Sequence, residues 1–240
     1  MNARRLLPLL FAAVLAGCAQ TTVRPAPDVP FADAAVGAEQ AWWRACFRMP
    51  FDAQGEPRWA TDLLLADRVA GPALARHRRD IALWRFHRRA GRDGVGHQFS
   101  VLFYSDAATA TRMLAELQQH PLLPALVAEG ALTRLIAPCG GYESPQAIEG
   151  TSDPGWAPQL QRAWPYYIMG VSAHWLALIG EVGADLPSPP EQPDELLAHY
   201  ARIGERITAV WRGQGQHAYL HHLSALFGYE PLLIQKYIGF

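Results

Sequence analysis

Residues 81–105, IALWRFHRRAGRDGVGHQFSVLFYS, decide the fold class. Both ends of this stretch are rich in aromatic and branched apolar side chains, and Phe99, Val101 and Phe103 alternate with Gln98, Ser100 and Leu102. A period of two belongs to a strand, because successive Cβ atoms point to opposite faces. Between the two runs, AGRDGVG (90–96) supplies the glycines that a hairpin loop needs for left-handed backbone positions. Within the first strand Trp84 and Phe86 share a face with Arg88, while Arg85, His87 and Arg89 share the other. The aromatic pair marks the core side, which leaves Arg85, His87 and Arg89 toward solvent or a groove, with Arg92 in the adjoining turn.

Working outward, Ser105-Asp106 is a helix cap, and Ala110, Met113, Leu114 and Leu117 follow at helical spacing. A short helix after Pro121 ends at Gly130, and ALTRLIA (131–137) predicts a third strand. Upstream, Trp42/Cys46 and Trp43/Phe47 pair at i, i+4, which predicts a helix beginning near Asp33 and ended by Pro50. A second helix over 59–69 closes at Gly71-Pro72. Downstream, 138–158 is loop-like. Beyond it Leu160, Trp164, Tyr167, Ile168, Val171, Trp175, Leu178 and Ile179 form a helical stripe, with Pro165 at the start of the main helix. A Pro-rich linker (187–193) precedes another amphipathic helix, and a last one covers roughly 216–227, with Leu220, Leu223 and Phe227 on its buried side. The expected class is α+β: a small antiparallel sheet of about three strands packed against several helices, with a helical C-terminal half.

The beginning of the chain has a different character. Arg4 and Arg5 precede an apolar run, Leu6 to Ala16, about half as long as the roughly 20 residues of a spanning helix. A charged start, a short apolar middle and small residues at the end are the parts of a secretory signal peptide. The last four residues, Leu15-Ala16-Gly17-Cys18, resemble the lipobox of bacterial lipoprotein precursors. That resemblance implies removal of residues 1–17 and lipidation of the Cys18 thiol. With Ala19 rather than Asp after the cysteine, it also implies an outer-membrane anchor with the domain facing the periplasm. Residues 18–33 include three prolines and no apolar period, and read as an extended tether to a single periplasmic α+β domain at 34–240. WRFHRRAGRDGVGHQFSVLFYS, TSDPGW and WPYYIMGVSAHW also look like uncharacterised proteobacterial lipoproteins, a resemblance that spans most of 76–180 and implies no particular activity.

Composition fits a folded domain behind such an anchor. Half of the residues are apolar, and 21 basic side chains face 22 acidic ones. A globally basic nucleic-acid binder is disfavoured. All the basic residues except Lys236 are arginine. Cys46 and Cys139 form an even pair that an oxidising compartment can bridge, although two separate buried thiols fit as well.

Several patterns invite a chemical reading. His217 and His221 stand one helical turn apart, a spacing that can bind zinc. The glutamate a zincin needs is replaced by Ala218 and no third ligand is evident, so no metal is expected. Gly170-Val-Ser172-Ala-His174 is a broken nucleophile elbow placed inside a helical stripe, where His174 reads better as a core histidine. Asp153 in TSDPGW reads as a turn residue. The C-terminal KYIGF ends in the phenylalanine typical of barrel strands, but a barrel needs many alternating segments that this chain lacks. The segment 76–92 is the one reversal of sign. It holds Arg76, Arg78, Arg79, Arg85, Arg88, Arg89, Arg92, His77 and His87 against Asp80 alone. Guanidinium forks suit phosphate and carboxylate groups, although such arginines commonly pair with a protein's own acids.

The expectation is a non-catalytic binding or structural component of the cell envelope, with Arg85, His87, Arg89 and Arg92 as candidate anion-binding residues. Its partners would be the membrane, through Cys18, and an anionic envelope component (lipid headgroup, lipopolysaccharide or peptidoglycan) or an envelope protein. No cofactor and no nucleic acid are expected. The alternative is an envelope enzyme, hydrolase-like or metal-dependent, with a pocket near loop 138–158 and His174.

Overall fold

A computed structural model describes residues 39–139 and 146–231. The signal segment, Cys18, the tether, Asp33 and the KYIGF terminus lie outside these residues. The class is α+β, with one antiparallel sheet of four strands in the order β2-β3-β1-β4: β1 (Ala41–Met49), β2 (Leu83–Ala90), β3 (His97–Ser105) and β4 (Arg134–Ile136). β2 and β3 form the hairpin read from residues 81–105, with Phe86 opposite Val101 and Trp84 opposite Phe103.

The segment expected to be the first helix is instead the central strand β1, which pairs Trp43 with Phe103 and Phe47 with Phe99. The reason is burial on both faces. Ala45 and Phe47 enter the main core, whereas Trp42 packs on the opposite face with Leu102 and Tyr104. A strand covered on both sides shows an almost continuous apolar run, which cannot be told from a buried helix by periodicity. Cys46, on this strand rather than on a helix, is bridged to Cys139 with a Cα–Cα separation of 5.6 Å. The bridge ties β1 to the chain leaving β4.

Gly71-Pro72 also fails to end its helix. α1 (Trp59–Leu64) continues through a π-helical segment (Leu65–Ala70) into α2 (Gly71–Arg76). The wider turn carries the helix past Pro72, with the Gly71 amide donating to Ala66 O. Glycine suits the close approach there: a Cβ would stand 3.0 Å from Ala66 O and 3.3 Å from the Leu176 side chain, so the neighbours would have to give way by a few tenths of an ångström. α3 (Ala107–Gln118) is capped as expected, since Asp106 Oδ1 accepts from Thr109 N at 2.7 Å. α4 (Leu122–Ala128) leads into β4.

The long α5 (Pro158–Ala184) begins seven residues ahead of Pro165, which therefore sits inside it. Proline removes the hydrogen bond to the carbonyl four residues back. That carbonyl, on Gln161, accepts from Ser152 Oγ at 2.7 Å instead. The face α5 buries is also rotated from the expected stripe. Ser172, Ala173, Leu176 and Ile179 are buried, whereas Leu160, Tyr167 and Val171 are exposed. Small Ser172 and Ala173 allow the helix to lie close against β2, and α5 also packs against the 3-10 turn Ile148–Thr151. α6 (Pro193–Gly215) buries Leu196, Tyr200 and Ile203 against α1 and α5, and the Tyr200 hydroxyl donates to Asp67 in the π-helical segment. Its continuation, a π-helical turn (Gln216–His221) and α7 (His222–Leu226), lies outside the core. Leu220 and Phe227, expected to be buried, are exposed. No helix among the described residues is long and apolar enough to cross a membrane.

Candidate functional site, a basic face of the sheet

The sheet has two unlike faces. Trp84, Phe86, Phe99, Val101, Phe103, Ala45 and Phe47 face the main core. On the other face the register aligns Arg85 with Leu102 and Arg44, His87 with Ser100 and Cys46, and Arg89 with Gln98, Arg48 and Arg134. One end of this second face is closed by a small cluster, Trp42, Leu83, Leu102 and Tyr104, over which Ile148 and Met169 pack. Two bonds hold the covering segment in place. Trp42 Nε1 donates to Ile148 O at 2.8 Å, and the Tyr104 hydroxyl donates to Gln146 O. Beyond the cluster the face is cationic.

Arg85 and His87 stand on this face together, with Arg44 beside them. Arg85 donates to Thr151 O at 3.3 Å, and neither it nor Arg44 has a carboxylate partner among the described residues. Burial of part of the side chain, then the charge of Arg44, lowers the Arg85 guanidinium to about 10. Burial likewise lowers Arg44. The His87 imidazole titrates below its ordinary value, first through burial and then through Arg85, Arg44 and Arg89. The groups thus stand close enough to repel one another. Arg85 Nε, Arg48 Nε and Gln98 Oε1, all on this face, and Thr151 Oγ1 beside it, are buried without a hydrogen-bond partner among the described residues. Unpaired polar atoms in such surroundings are costly unless water or a ligand meets them.

The other two candidates behave differently. Arg89 shares the face but is paired with Asp93, whose exposed carboxyl is drawn down to about 2 by Arg89 and by the Gly96 and Val95 amides. Arg92 leaves the face, its guanidinium reaching Gly55 O at 3.4 Å. Elsewhere in the basic segment the protein supplies its own acids: Arg76 and His77 pair with Glu116, and Arg88 with Asp62. Arg44, which the hairpin reading could not bring in, joins the site because β1 is the central strand.

The tempting catalytic patterns are occupied structurally. Ser172 Oγ accepts the Phe86 amide at 3.0 Å and donates to Ile168 O at 2.8 Å, so its hydroxyl fills a place in the fold. His174, expected in the core, is exposed because α5 turns Ala173 and Leu176 inward, and its Nε2 meets the Tyr219 hydroxyl at 3.1 Å. Asp153 accepts from the Gly155 amide as a turn residue. The rings of His217, His221 and His222 cluster in mutual contact, but among the described residues no group of three or more His, Cys, Asp or Glu is arranged so that it could hold a metal ion.

Sequence reasoning missed one further network. Asp62 is fully buried, accepts from Arg88 Nε at 2.7 Å and meets His97 Nε2 at 3.0 Å. His97 Nδ1 accepts the Arg58 amide at 3.2 Å, so both ring nitrogens are engaged and neither is free to act as a base. The guanidinium of Arg88 lies between the rings of Trp59 and Trp175, 4.7 and 4.8 Å from their centroids. An aspartate immediately before the apolar run Leu63-Leu64-Leu65 was the available signal. No family model, curated protein or solved structure matches the chain.

Proposed function

We propose that the chain is an outer-membrane-anchored periplasmic lipoprotein that binds an anionic component of the envelope, without catalysis, through the basic face of its sheet. The lipobox-like Leu15-Ala16-Gly17-Cys18 supports the anchor. The observation that carries the binding role is the gathering of Arg44, Arg85 and His87 on one sheet face, with no carboxylate paired to either arginine among the described residues. Forked hydrogen bonds and charge suit phosphate or carboxylate groups at such a place. Arg89 and Arg92 contribute less, being engaged with Asp93 and Gly55.

The test has two arms. Cys18→Ser should leave an uncleaved or mislocalised precursor, and normal processing and fractionation would remove the anchor reading. The full-length chain should bind anionic vesicles, lipopolysaccharide or peptidoglycan in preference to neutral vesicles, more weakly as salt rises. Arg44→Ala/Arg85→Ala should reduce that binding with little change in the unfolding transition. Undiminished binding would mean that the arginines are structural.

A further inference from the structure

A second site lies on the opposite side of the sheet, between α1 and α6. This open cleft has a volume of about 880 Å³, within the range of small-molecule sites. One wall is apolar, formed by Leu63 from α1 and Leu197, Ala201 and Ile207 from α6. Trp59, exposed at 43%, stands at the edge. Arg58 and Arg88 line the same cleft, and Arg58 Nε is buried with no hydrogen-bond partner among the described residues.

Arg88 is held unusually firmly for a residue lining a cleft. Its guanidinium carbon stands over two indole rings, those of Trp59 and Trp175, and Asp62 takes its Nε–H. Asp62 is itself oriented by His97, and His97 by the Arg58 amide. The chain of contacts fixes the guanidinium before any ligand arrives, while its side chain remains 31% exposed. A preorganised guanidinium beside an apolar wall is a receptor for a carboxylate on an apolar body, because little ordering is left to be done on binding. The other charges bear on the class of ligand. Arg212 adds a cation, whereas Asp52 and Glu205 also line the cleft. With Asp62 paired to Arg88, and Asp52 and Glu205 in the lining, the carboxylates match the three arginines in number, which disfavours a dianionic phosphate relative to a monoanion.

We propose that the α1–α6 cleft binds a single-chain carboxylate amphiphile of the fatty-acid class, its head group on Arg88 and Arg58 and its chain along the wall from Leu63 to Ile207. This site is separate from the basic sheet face, and the test keeps the two readings apart. Decanoate, decanol and decyltrimethylammonium are titrated below their micellar concentrations into the full-length chain, by calorimetry and by the change in tryptophan fluorescence that a Trp59→Phe variant lacks. Decanoate should saturate a single site. The neutral and cationic analogues should bind at least about tenfold more weakly, as expected when a charge-assisted hydrogen bond is lost. Arg88→Lys keeps the charge but lacks the fork, and should weaken decanoate by a similar factor. Ala201→Glu, on an exposed position of α6, places a carboxylate in the cleft without touching the network and should also weaken it about tenfold. Arg44→Ala/Arg85→Ala should bind decanoate like the parent protein. The proposal is overturned by absence of saturable binding, by equal affinity for the three head groups, by an Ala201→Glu variant that binds normally, or by loss of binding in the sheet-face variant.

Discussion

Asp62→Asn removes one charge from the core while almost preserving shape, and its consequence can be worked out donor by donor. The Arg58 amide donates to His97 Nδ1, so the ring proton must sit on Nε2, facing Asp62 Oδ1. Arg88 Nε–H faces Oδ2. The carboxylate therefore satisfies two donors, one on each oxygen. An asparagine has one oxygen and an NH₂ group. If the oxygen turns to Arg88, the NH₂ meets His97 Nε2–H, and moving that proton to Nδ1 sets it against the Arg58 amide. If the oxygen turns to His97, the NH₂ meets Arg88 Nε–H. Every arrangement leaves two donors facing each other. An unpaired buried donor costs about 1–3 kcal/mol, and breaking a buried ion pair about 3–5 kcal/mol. Arg88 retains access to water, which places the expected loss near the bottom of the second range, about 3 kcal/mol. That is more than a hundredfold in the unfolding equilibrium, at about 1.4 kcal/mol per decade. Urea unfolding followed by tryptophan fluorescence measures it directly. A loss below about 1 kcal/mol would refute the proton assignment and the role given to the network.

Two further outcomes follow from contacts already described. Ser172→Ala leaves the buried Phe86 amide without its acceptor and should cost about 1–3 kcal/mol in urea unfolding, with faster hydrogen exchange at that amide. An unchanged exchange rate would mean the bond does not form. The pH dependence concerns His87, whose folded-state value is depressed by burial and by three neighbouring arginines. The unfolded chain takes up the proton at the ordinary value near 6.5, while the native state resists it. Native stability should therefore fall as pH drops below about 6.5 and level off once the folded imidazole also protonates. His120 and His199, lowered first by burial, act in the same direction. His87→Gln should reduce the fall in Tm between pH 7.5 and 5, and an identical fall in parent and variant would contradict the depressed value.

The parts of the fold legible in the sequence were those whose two faces differ in polarity. β3 and its hairpin partner β2 were readable because Trp84 and Phe86 contrast with Arg85 and His87, and α3 because an aspartate cap precedes a stripe one helix face wide. β1 was misread because Trp42 and Phe47 are both buried, on opposite sides of the sheet, so its pattern carries no alternation. Pro165 misled for another reason: the Ser152 hydroxyl that relieves it comes from the segment leading into α5, thirteen residues before the proline, and no periodic pattern announces it. For the basic face, alternation correctly grouped Arg85, His87 and Arg89, but the pairing of Arg89 with Asp93 and the arrival of Arg44 depend on loop geometry and strand order. The cleft was invisible because Asp62, His97 and Arg88 belong to three different elements.

The outermost strands carry a consequence for how this protein can meet others. An exposed strand edge offers unpaired amides and carbonyls to any extended segment, which can then be added to the sheet. Here the outward amide at the middle of β2 is claimed by a hydroxyl from the helix lying along it. At the opposite border β4 offers only three residues. The sheet is thus poorly suited to lengthening, by a second copy or by a borrowed peptide. Under the two proposals above, recognition falls to side chains instead, on the cationic face of the sheet and in the cleft beside Trp59, where charge and shape rather than main-chain pairing would set specificity.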